Sequence, residues 1–579
     1  MFNAGAAEAG GNQVSAEFNL IYRWHSCISE RDEKWTEDLF HQMFPDKQPA
    51  EVALDEFVCG MGRWEQAIPE DPAERSFANL CRSSTGKYAD TDLAAIFAQG
   101  VEDCAGAFGA HQVPVVLRAT ELLGIKQARS WNLATLNEFR KHFNLAPHKS
   151  FEDINPDPSV YEPLRRMYEH PDFVELYPGL VVEATKRVME PGSGLCTNFS
   201  ISRAILSDAV CLVRGDRFYT IDYTPKHLTN WGFASVDYDM KIDFGCSFYK
   251  LVLRALPFSF RQDSVYAHYP LVIPSENWKI LSQLGLAETY SFDLSAALPT
   301  LPIPISSWTA CKSILANNRD FKVVWNEAIE FLTRDSKTGY NYGADYMLSG
   351  DCPRHVHSRN LMKTALYPEQ CEKTVANFYQ HTTLELLRRN SYNIAGQNEV
   401  DVVRDVANLV QVYFASNLWC LPLKNEENPR GLFTETELYQ LLAIEFASVF
   451  YDVDPVQSFP LRQTSKRLTR TLGNILEHNV RAVEKSGFMQ NLLHSLSRPQ
   501  PLAQYGVQMI KRLLATRTPV KELVWTHMLP TVSAMVANQS QLFCQCLDYY
   551  LSEEGSVHLP EINRLAKENT AAADDLLLH

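Results

Sequence analysis

The sequence EFNLIYRWHSCIS, residues 17–29, places a tyrosine and a histidine three residues apart inside an apolar run. If this run is helical, Tyr22 and His25 point the same way, because residues three apart on a helix are neighbours. A neutral imidazole is a common ligand of haem iron, and a phenol beside a haem can be oxidised to a radical. The same spacing is also typical of a buried tyrosine and a buried histidine that are each hydrogen-bonded locally.

The composition of the whole chain limits the classes of function. Its 579 residues carry a net charge of −15, which argues against a general nucleic-acid binder, because such proteins need an excess of lysine and arginine. No stretch reaches about 18 uninterrupted apolar residues, so no membrane-spanning helix is predicted. The N-terminus lacks a basic region followed by an apolar run, and the thirteen cysteines are scattered. We therefore expect a chain that is not secreted and whose thiols are mostly reduced.

Apolar residues recur at three- and four-residue spacing over most of the chain, which predicts a mainly α-helical protein. The stretch ALPTLPIPISSW, residues 297–308, is rich in proline, and closely spaced prolines stop both helices and central strands. We therefore predict one domain over residues 1–296, a linker over 297–310 and a second domain over 311–579. The segment LVRGDRFYTIDYTP, residues 212–225, is predicted to be β-like or extended.

A polar stripe interrupts the apolar segment VKELVWTHMLPTVSAMVANQSQLFCQCLDYYL, residues 520–551. The segment has the pattern of a long helix, and Pro530 is expected to kink it. Asn538, Gln541 and Gln545 fall on one helical face. Because buried amides need hydrogen-bond partners, the stripe is predicted either to line a pocket or to bridge to a neighbouring helix.

The tetrapeptide YRWH, residues 22–25, resembles the proximal-haem segment of the cyclooxygenase branch of the animal-type haem peroxidases. The resemblance implies that Tyr22 is the hydrogen-abstracting radical residue and that His25 is the proximal ligand of a haem iron. It also implies that haem b is the cofactor of the first domain.

A second block, ARSWNLATLNEFRKHFNLAPHKSFEDI at residues 128–154, is similar to the next conserved segment of the same superfamily. By that resemblance, Asn137 would hydrogen-bond the proximal histidine and Arg140 would lie near a haem propionate. Both roles are chemically reasonable, because a ligating histidine needs a partner on its second nitrogen and arginine pairs well with carboxylates.

Within that superfamily, GNQVSAEFNLIYRWHSCIS and LVRGDRFYTIDYTPKHLTNWGF are similar to the fungal fatty-acid dioxygenase–diol synthases, which include the linoleate diol synthases and psi-factor-producing oxygenases. The segment DRFYT, residues 216–220, also resembles a stretch of the plant α-dioxygenases in which the arginine lies near the substrate carboxylate. Arg217 is therefore a candidate anchor for a fatty-acid carboxylate. An ordinary surface or structural arginine explains this residue as well.

The family resemblance implies a mainly α fold in which a haem-peroxidase-like helical domain precedes a partial haem-thiolate, or cytochrome P-450-like, domain. In the family, an A-N-Q-x-Q tract handles the fatty-acid hydroperoxide. That tract is residues 537–541 here, so Asn538 and Gln541 are candidate catalytic residues. A second haem with a cysteine thiolate ligand is expected in the family, but no cysteine of this chain has the F-x-x-G-x-H-x-C setting. We therefore interpret the sequence as the central part of a larger enzyme.

The implied function is a haem-dependent dioxygenase that forms a hydroperoxide from O₂ and linoleic or a related unsaturated C18 acid. The second domain would isomerise this product to a diol, with the cofactor supplying the difficult chemistry. The alternative is an inactive fragment or pseudoenzyme that binds no haem. The resemblance also suggests a homo-oligomer that is cytoplasmic or peripheral to lipid membranes or lipid bodies.

Overall fold

The computed structural model of the chain describes residues 15–75, 80–186, 190–294, 303–335, 337–350, 353–369, 371–426, 428–485 and 501–568. The chain divides into two compact units, Met1–Thr300 and Leu301–His579. This division falls within the stretch predicted as the linker, of which residues 297–302 lie outside the described residues. Residues 11–14, which begin the segment used for the family resemblance, also lie outside them.

The first unit is built from short helices joined by turns. Its α-helices are Phe18–Ile21, Glu30–Met43, Leu54–Ala67, Asp90–Glu102, Arg118–Ser130, Leu136–His142, Phe151–Ile154, Pro158–Met167, Leu176–Val182, Phe199–Gly215, Pro225–Val236, Phe248–Ala255, Val265–His268 and Pro274–Gln283. Its 3₁₀ helices are Pro49–Glu51, Pro72–Glu74, Val115–Leu117, Pro171–Phe173, Arg217–Tyr219, Asp243–Gly245 and Ala287–Thr289. The mainly helical character predicted for this unit is confirmed.

The segment 212–225 is helical and turn-like, so the prediction of an extended segment is wrong. Helix Phe199–Gly215 begins at Asn198, whose side chain caps its first turn, and it includes the first residues of the segment. The Asp216 side chain then caps a new 3₁₀ turn, Arg217–Tyr219. The β-like residue pattern is overridden because capping side chains fix the backbone in helical turns at both places.

The main core of the first unit forms around the short helix that precedes Tyr22. Leu20 and Ile21 are 2% and 1% exposed, and they belong to one apolar cluster with Leu136 and Tyr177. Full burial of a leucine or isoleucine side chain contributes about 1.5–3 kcal/mol. These contacts therefore fix the position from which the Tyr22–His25 segment leaves the core.

The second unit contains longer helices. Its α-helices are Trp308–Ala316, Asn326–Thr333, Pro353–Leu366, Cys371–Asn390, Asn408–Trp419, Glu435–Phe450, Pro455–Glu484, Pro501–Ala515, Val520–Glu522, Leu529–Ser533, Val536–Leu551 and Leu559–Glu568. It also has π-helices at Val402–Ala407 and Leu523–Met528, and 3₁₀ helices at Tyr342–Asp345 and Gly555–His558. Strands Tyr392–Ile394 and Gln397–Glu399 pair as an antiparallel hairpin. In the described part of the chain, every helix is too short or too polar to span a bilayer.

Helix Asn408–Trp419 lies at the centre of the second core, because most of its side chains are buried. Helix Pro501–Ala515 approaches it very closely. A Cβ atom at Gly506 would lie 2.2 Å from the carbonyl oxygen of Leu418, so a residue with a side chain could not occupy this position without moving the two helices apart. This glycine therefore sets the separation of the two helices.

The segment predicted as one long helix is divided into four parts, and the kink expected at Pro530 stays a prediction. These parts are Val520–Glu522, the π-helix Leu523–Met528, Leu529–Ser533 and Val536–Leu551. Proline has no N–H for the helical ladder, and a π-helical turn in front of it accommodates the missing bond.

A buried carboxyl group contacts this segment. Glu445, on helix Glu435–Phe450, is 0% exposed and accepts a hydrogen bond from the hydroxyl of Ser533. Its second oxygen, Oε1, has no hydrogen-bond partner among the described residues. Burial raises the pKa of Glu445 to about 7, so its protonated form is favoured inside the folded unit.

We predict that Glu445→Gln changes the pH dependence of stability. The ordinary pKa of the carboxyl group is 4.5, and the folded value is about 7. The native chain therefore has its full stability from this group below the ordinary pKa and loses it as the pH rises through the folded pKa. The unfolding free energy of Glu445→Gln should therefore increase relative to that of the native chain as the pH rises. The increase should be about 3 kcal/mol between about pH 4.5 and about pH 8.

Urea unfolding at several pH values measures this difference. Glu553→Gln is the control, because Glu553 is exposed and its replacement should leave the pH dependence unchanged. Parallel stability curves for Glu445→Gln and the native chain would contradict the assignment of a raised pKa.

Candidate active site

The helix Phe18–Ile21 ends immediately before the candidate radical tyrosine. Tyr22 is its C-terminal cap, with φ −99°, and the following residues form a turn. The indole Nε1 of Trp24 donates a hydrogen bond to the Ile21 carbonyl at 2.9 Å, which satisfies the helix end. The expectation that Tyr22 and His25 share a helical face is therefore wrong, since both residues follow the helix and stand on a capped turn.

The phenol of Tyr22 is accessible. The residue is 45% exposed, and its ring centre lies 4.7 Å from that of Phe18 and 5.8 Å from that of Trp24. Its hydroxyl has no hydrogen-bond partner among the described residues. Ring contacts therefore position the phenol while its O–H group stays available to another molecule.

His25 is held through one ring nitrogen. Its Nδ1 hydrogen-bonds to Oε1 of Glu121, and the Tyr177 hydroxyl donates to the same carboxylate oxygen at 2.8 Å. The Tyr177 oxygen is also 3.4 Å from His25 Nδ1. Because a carboxylate only accepts hydrogen bonds, Nδ1 carries a proton, and in the neutral imidazole Nε2 then has the lone pair. Nε2 has no partner among the described residues, so it is free to bind a ligand.

Tyr177 supports this arrangement as a permanent hydrogen-bond donor. It is 1% exposed, and burial, with the nearby charge of Glu121 as the next cause, raises the pKa of Tyr177. The phenol therefore remains protonated at any physiological pH and keeps donating to the carboxylate. A carboxylate on the second nitrogen of a histidine fixes the ring orientation and increases the basicity of the first nitrogen.

This environment fits an iron-ligating histidine. Metal-binding histidines generally donate their other ring N–H to a carboxylate, a carbonyl or water, and Glu121 provides such a carboxylate for His25. Over the described ranges, no group of three or more histidine, cysteine, aspartate or glutamate residues is placed to hold a metal ion. His25 would hold a haem iron through Nε2, with its Nδ1 fixed by Glu121.

Gly124 allows this cluster to close. A Cβ atom at position 124 would lie 2.5 Å from Cε1 of Tyr177 and 2.7 Å from a terminal nitrogen of Arg23. Arg23 also hydrogen-bonds to Gln127, and its guanidinium carbon lies 5.4 Å from the centre of the Tyr177 ring. Arg23 thus ties the turn to the helix that carries the carboxylate.

Asn137 binds a different part of the first unit. It is 1% exposed, and its Nδ2 donates to the His148 carbonyl at 2.9 Å and to Oδ1 of Asp172 at 2.6 Å. Its Oδ1 accepts from the His148 N–H at 2.8 Å. The predicted hydrogen bond between Asn137 and His25 is therefore not formed, because the amide is already occupied at both ends. Glu121 takes that place.

Arg140 is engaged with a buried carboxylate. Its guanidinium binds Glu183, which is 4% exposed, and donates to the Ser200 hydroxyl at 2.7 Å. Nε2 of His148 contacts the same Glu183 oxygen at 2.9 Å. A haem propionate at Arg140 would have to compete with Glu183 for the guanidinium, so the predicted propionate contact stays a prediction.

Arg217 lies on the surface of the first unit. Its side chain is 70% exposed, and its Nε donates to Oδ2 of Asp222 at 2.6 Å. The predicted role as a carboxylate anchor is therefore compatible with the accessibility of the side chain, while Asp222 occupies one edge of the guanidinium.

The amide stripe of the second unit faces outward. Asn538, Gln541 and Gln545 are exposed on helix Val536–Leu551, whereas Ser540 is 3% exposed and faces inward. The prediction that these amides line a pocket or bridge to a neighbouring helix is wrong for the second unit taken by itself. Val536 and Ser540 are the buried residues of this helix, and Leu542 and Phe543 are exposed together with the amides.

Sequence patterns do not single out Glu121 and Tyr177. Glu121 lies in an ordinary amphipathic helix, and Tyr177 belongs to VELYPGLVVE, residues 174–183, which carries no mark of a contact with His25. The available signal is the spacing of Glu121 and Gly124, which stand three residues apart on one helical face. A carboxylate beside a glycine on such a face indicates a place where a large side chain can approach.

Comparison with known proteins is consistent with this geometry. The animal haem peroxidase family model matches residues 12–238. Psi-producing oxygenase A of Aspergillus fumigatus is 59% identical over 573 residues, which cover 99% of this chain and 53% of that protein. Linoleate 10R-lipoxygenase of Aspergillus fumigatus is 45% identical over 98% of this chain and 50% of that protein. The 7,8-linoleate diol synthase of Pyricularia oryzae is 42% identical over 99% of this chain and 53% of that protein.

The chain thus spans about half the length of the curated relatives it matches. The segment that matches the haem peroxidase model contains Tyr22, His25, Glu121 and Tyr177. Residues 12–238 are similar to the animal haem peroxidase family, and nearly the whole chain is similar to the psi-producing oxygenases and linoleate diol synthases.

Proposed function

We propose that this chain is part of a haem-dependent fatty-acid dioxygenase of oxylipin biosynthesis. Its first unit would form a hydroperoxide from O₂ and linoleic or a related unsaturated C18 acid. The observation that carries this proposal is the His25 imidazole, which Glu121 holds at Nδ1 while Nε2 stays free, three residues after the accessible Tyr22. Two relatives whose names refer to linoleate support the substrate class.

Each residue of this site has a separate role in the proposed reaction. When bound, haem b supplies the oxidising equivalent that removes an electron and a proton from the Tyr22 phenol. His25 would hold the iron through Nε2, and Glu121 and Tyr177 would keep the imidazole from rotating. The Tyr22 radical takes a hydrogen atom from the fatty acid, and O₂ adds to the carbon radical. The resulting peroxyl radical takes the hydrogen back from Tyr22, which yields the hydroperoxide and restores the tyrosyl radical.

A cavity in the first unit offers room for part of the fatty acid. It has a volume of about 430 Å³ and a lining that includes Phe18, Ile21, Phe139 and Phe143. Cavities of this size bind small organic molecules. Tyr22 itself does not line the cavity, but the Phe18 ring is in contact with both. An acyl chain in this cavity would therefore pass beside the neighbour of the proposed radical residue.

Arg217 is the proposed anchor of the substrate carboxylate. Its Nε donates to Asp222, whose side chain is 12% exposed, while 70% of the arginine side chain is exposed. The other edge of the guanidinium would bind the fatty-acid carboxylate while Asp222 keeps its contact with Nε.

For the second unit, we propose a partial cytochrome P-450-like hydroperoxide isomerase. Asn538 and Gln541 lie one helical turn apart and are both exposed. Their amide N–H groups can donate hydrogen bonds to a hydroperoxide and orient its O–O bond without a titratable acid. The close relation to a diol synthase along nearly the whole chain supports this role.

The exposure of the site favours one alternative, an inactive fragment or pseudoenzyme without haem. Tyr22 is 45% exposed, and the His25 side chain is 28% exposed. Water has access to both groups, whereas a haem site in a functioning enzyme excludes it. Haem stoichiometry separates the two functions.

One prediction from this proposal concerns haem binding. Titration of the chain with haem should give one haem per chain with a Soret band typical of histidine ligation, and His25→Ala should abolish it. Glu121→Gln should weaken haem binding about tenfold, because partners of a ligating histidine typically contribute that much to metal affinity. Glu37→Gln, an exposed substitution on another helix, is the control and should bind haem normally. A native chain that binds no haem would favour the inactive alternative.

The second prediction concerns the radical residue. Tyr22→Phe should keep the Soret titration of the native chain but reduce linoleate-dependent O₂ uptake by at least about 100-fold, because phenylalanine has no O–H group to oxidise. Tyr219→Phe, which removes the hydroxyl of a 65% exposed tyrosine, should keep the native rate. Hydroperoxide formation by Tyr22→Phe at the native rate would disprove the radical role.

The third prediction separates the two reactions. Asn538→Leu should leave hydroperoxide formation intact and reduce its conversion to diol about tenfold or more, as expected for loss of a hydrogen bond to a reacting group. Gln545→Leu changes the same exposed face two turns away and is the matched control. Product analysis by chromatography gives both rates. Unchanged diol output from Asn538→Leu would remove this residue from the mechanism.

A further inference from the structure

The second unit contains a basic groove that the proposed reactions do not use. The groove has a volume of about 410 Å³, and four basic and two acidic side chains line it, which leaves a local charge of +2. The chain as a whole carries −15, so this local excess of positive charge runs against the overall composition. The basic residues are Arg334, Lys337, Arg470 and Lys521.

The acidic side chains of the groove already have partners. Asp335 binds Nζ of Lys521 and accepts from the Lys337 N–H at 2.8 Å. The hydrogen bond with Lys521 is the leading cause that lowers the pKa of Asp335, so Asp335 remains charged. Glu477 accepts from the indole Nε1 of Trp525 at 2.6 Å, and it forms an ion pair at 3.4 Å with Arg481, which does not line the groove. Neither carboxylate is therefore left to neutralise the remaining basic groups.

Three of the basic side chains have no such partner. Over the described ranges, Arg334, Lys337 and Arg470 form no ion pair and no side-chain hydrogen bond. All three are exposed, so water solvates them in this structure. Their charges converge on one concavity, where they repel one another unless an anion lies between them.

The wall of the groove is fixed by close packing. Trp525 is 9% exposed, and a Cβ atom at Gly473 would lie 2.5 Å from its ring. The helix Pro455–Glu484 carries Gly473 and also Arg470 and Asn474, which lie on one face of the groove. The cation Arg470 is therefore presented by a rigid element, which lowers the entropy cost of binding a ligand.

From these observations we infer that the groove is a binding site for a phosphate monoester dianion. The charge of +2 is balanced by a dianion, whereas a single carboxylate would leave the groove positive. Two arginines provide planar donors that match phosphate oxygens, and Asn474 adds a neutral amide. The phosphate can belong to a free phosphate ester or to the head group of an acidic phospholipid, since both present the same oxygens.

The test uses isothermal titration calorimetry of the full chain with glycerol 3-phosphate. Arg334→Gln and Arg470→Gln should each weaken binding about tenfold, the low end for hydrogen bonds to charged groups. Arg467→Gln is the matched control, because Arg467 is exposed on the same helix and does not line the groove. It should bind as the native chain does. Equal affinities of the native chain and both groove variants would overturn the inference, as would the absence of saturable binding to the native chain.

The charge argument has its own test. The second proton of a phosphate monoester dissociates near pH 6, so affinity should rise between about pH 5 and about pH 7, whereas decanoate should bind at least about tenfold more weakly than glycerol 3-phosphate at the higher pH. Tighter binding of decanoate would show that the groove selects a carboxylate and would overturn the assignment. Neither result depends on haem, so the proposed dioxygenase function can fail or hold independently.

Vesicle sedimentation distinguishes the two sources of phosphate. Phosphatidylcholine vesicles containing phosphatidic acid should retain the native chain but not Arg470→Gln if the ligand is a phospholipid head group. Binding of glycerol 3-phosphate without vesicle retention would support the same site with a free phosphate ester as its ligand. In both cases pure phosphatidylcholine vesicles, which lack a monoester dianion, are the control.

Discussion

The site of the first unit depends on the hydrogen bonds to the carboxylate of Glu121. This carboxylate brings together a turn and two helices, and its contact with His25 spans 96 residues of sequence. Without this carboxylate, the buried hydroxyl of Tyr177 would lose its acceptor and the His25 ring would be free to rotate. Leaving one buried polar group unsatisfied costs about 1–3 kcal/mol. The geometry at His25 is therefore a property of the folded unit and not of the local YRWH sequence.

The two units hold their candidate residues in different ways. In the first unit, polar contacts among Arg23, Glu121 and Tyr177 fix the turn that carries His25. In the second unit, close helix packing fixes the positions of the helices. At Gly506, for example, a side chain would collide with the backbone of the neighbouring helix. In both units the candidate reactive groups are exposed while the elements that carry them are anchored in a core. Such an arrangement lets a substrate reach the group without loosening its support.

Much of the fold could be predicted from the sequence, because helix periodicity and proline placement are local properties. The helical character of both units was of this kind. The conformation of Tyr22–His25 could not be predicted in this way, because the indole of Trp24 binds a backbone carbonyl and ends the helix. The segment 212–225 failed for a similar reason, since Asp216 caps a new turn inside a β-like pattern.

The candidate site was predictable only in part. Family resemblance pointed to Tyr22 and His25, and nothing in the local pattern indicated that Glu121 would support the imidazole. Asn137 was expected there, but its amide is saturated by His148 and Asp172. Contacts of this kind depend on which helices meet in the folded unit, and the spacing of residues along one helix does not contain that information.

The π-helix Leu523–Met528 has a consequence for how the second unit can vary in evolution. A π-helical turn holds one residue more than an α-helical turn, so it is the natural place for a one-residue insertion or deletion. Loss of one residue there would rotate everything that follows in the helix by about 100°. Asn538 and Gln541, which follow this turn in the same segment, would then move to another side. The extra residue therefore determines which side chains of the later part of the helix are exposed.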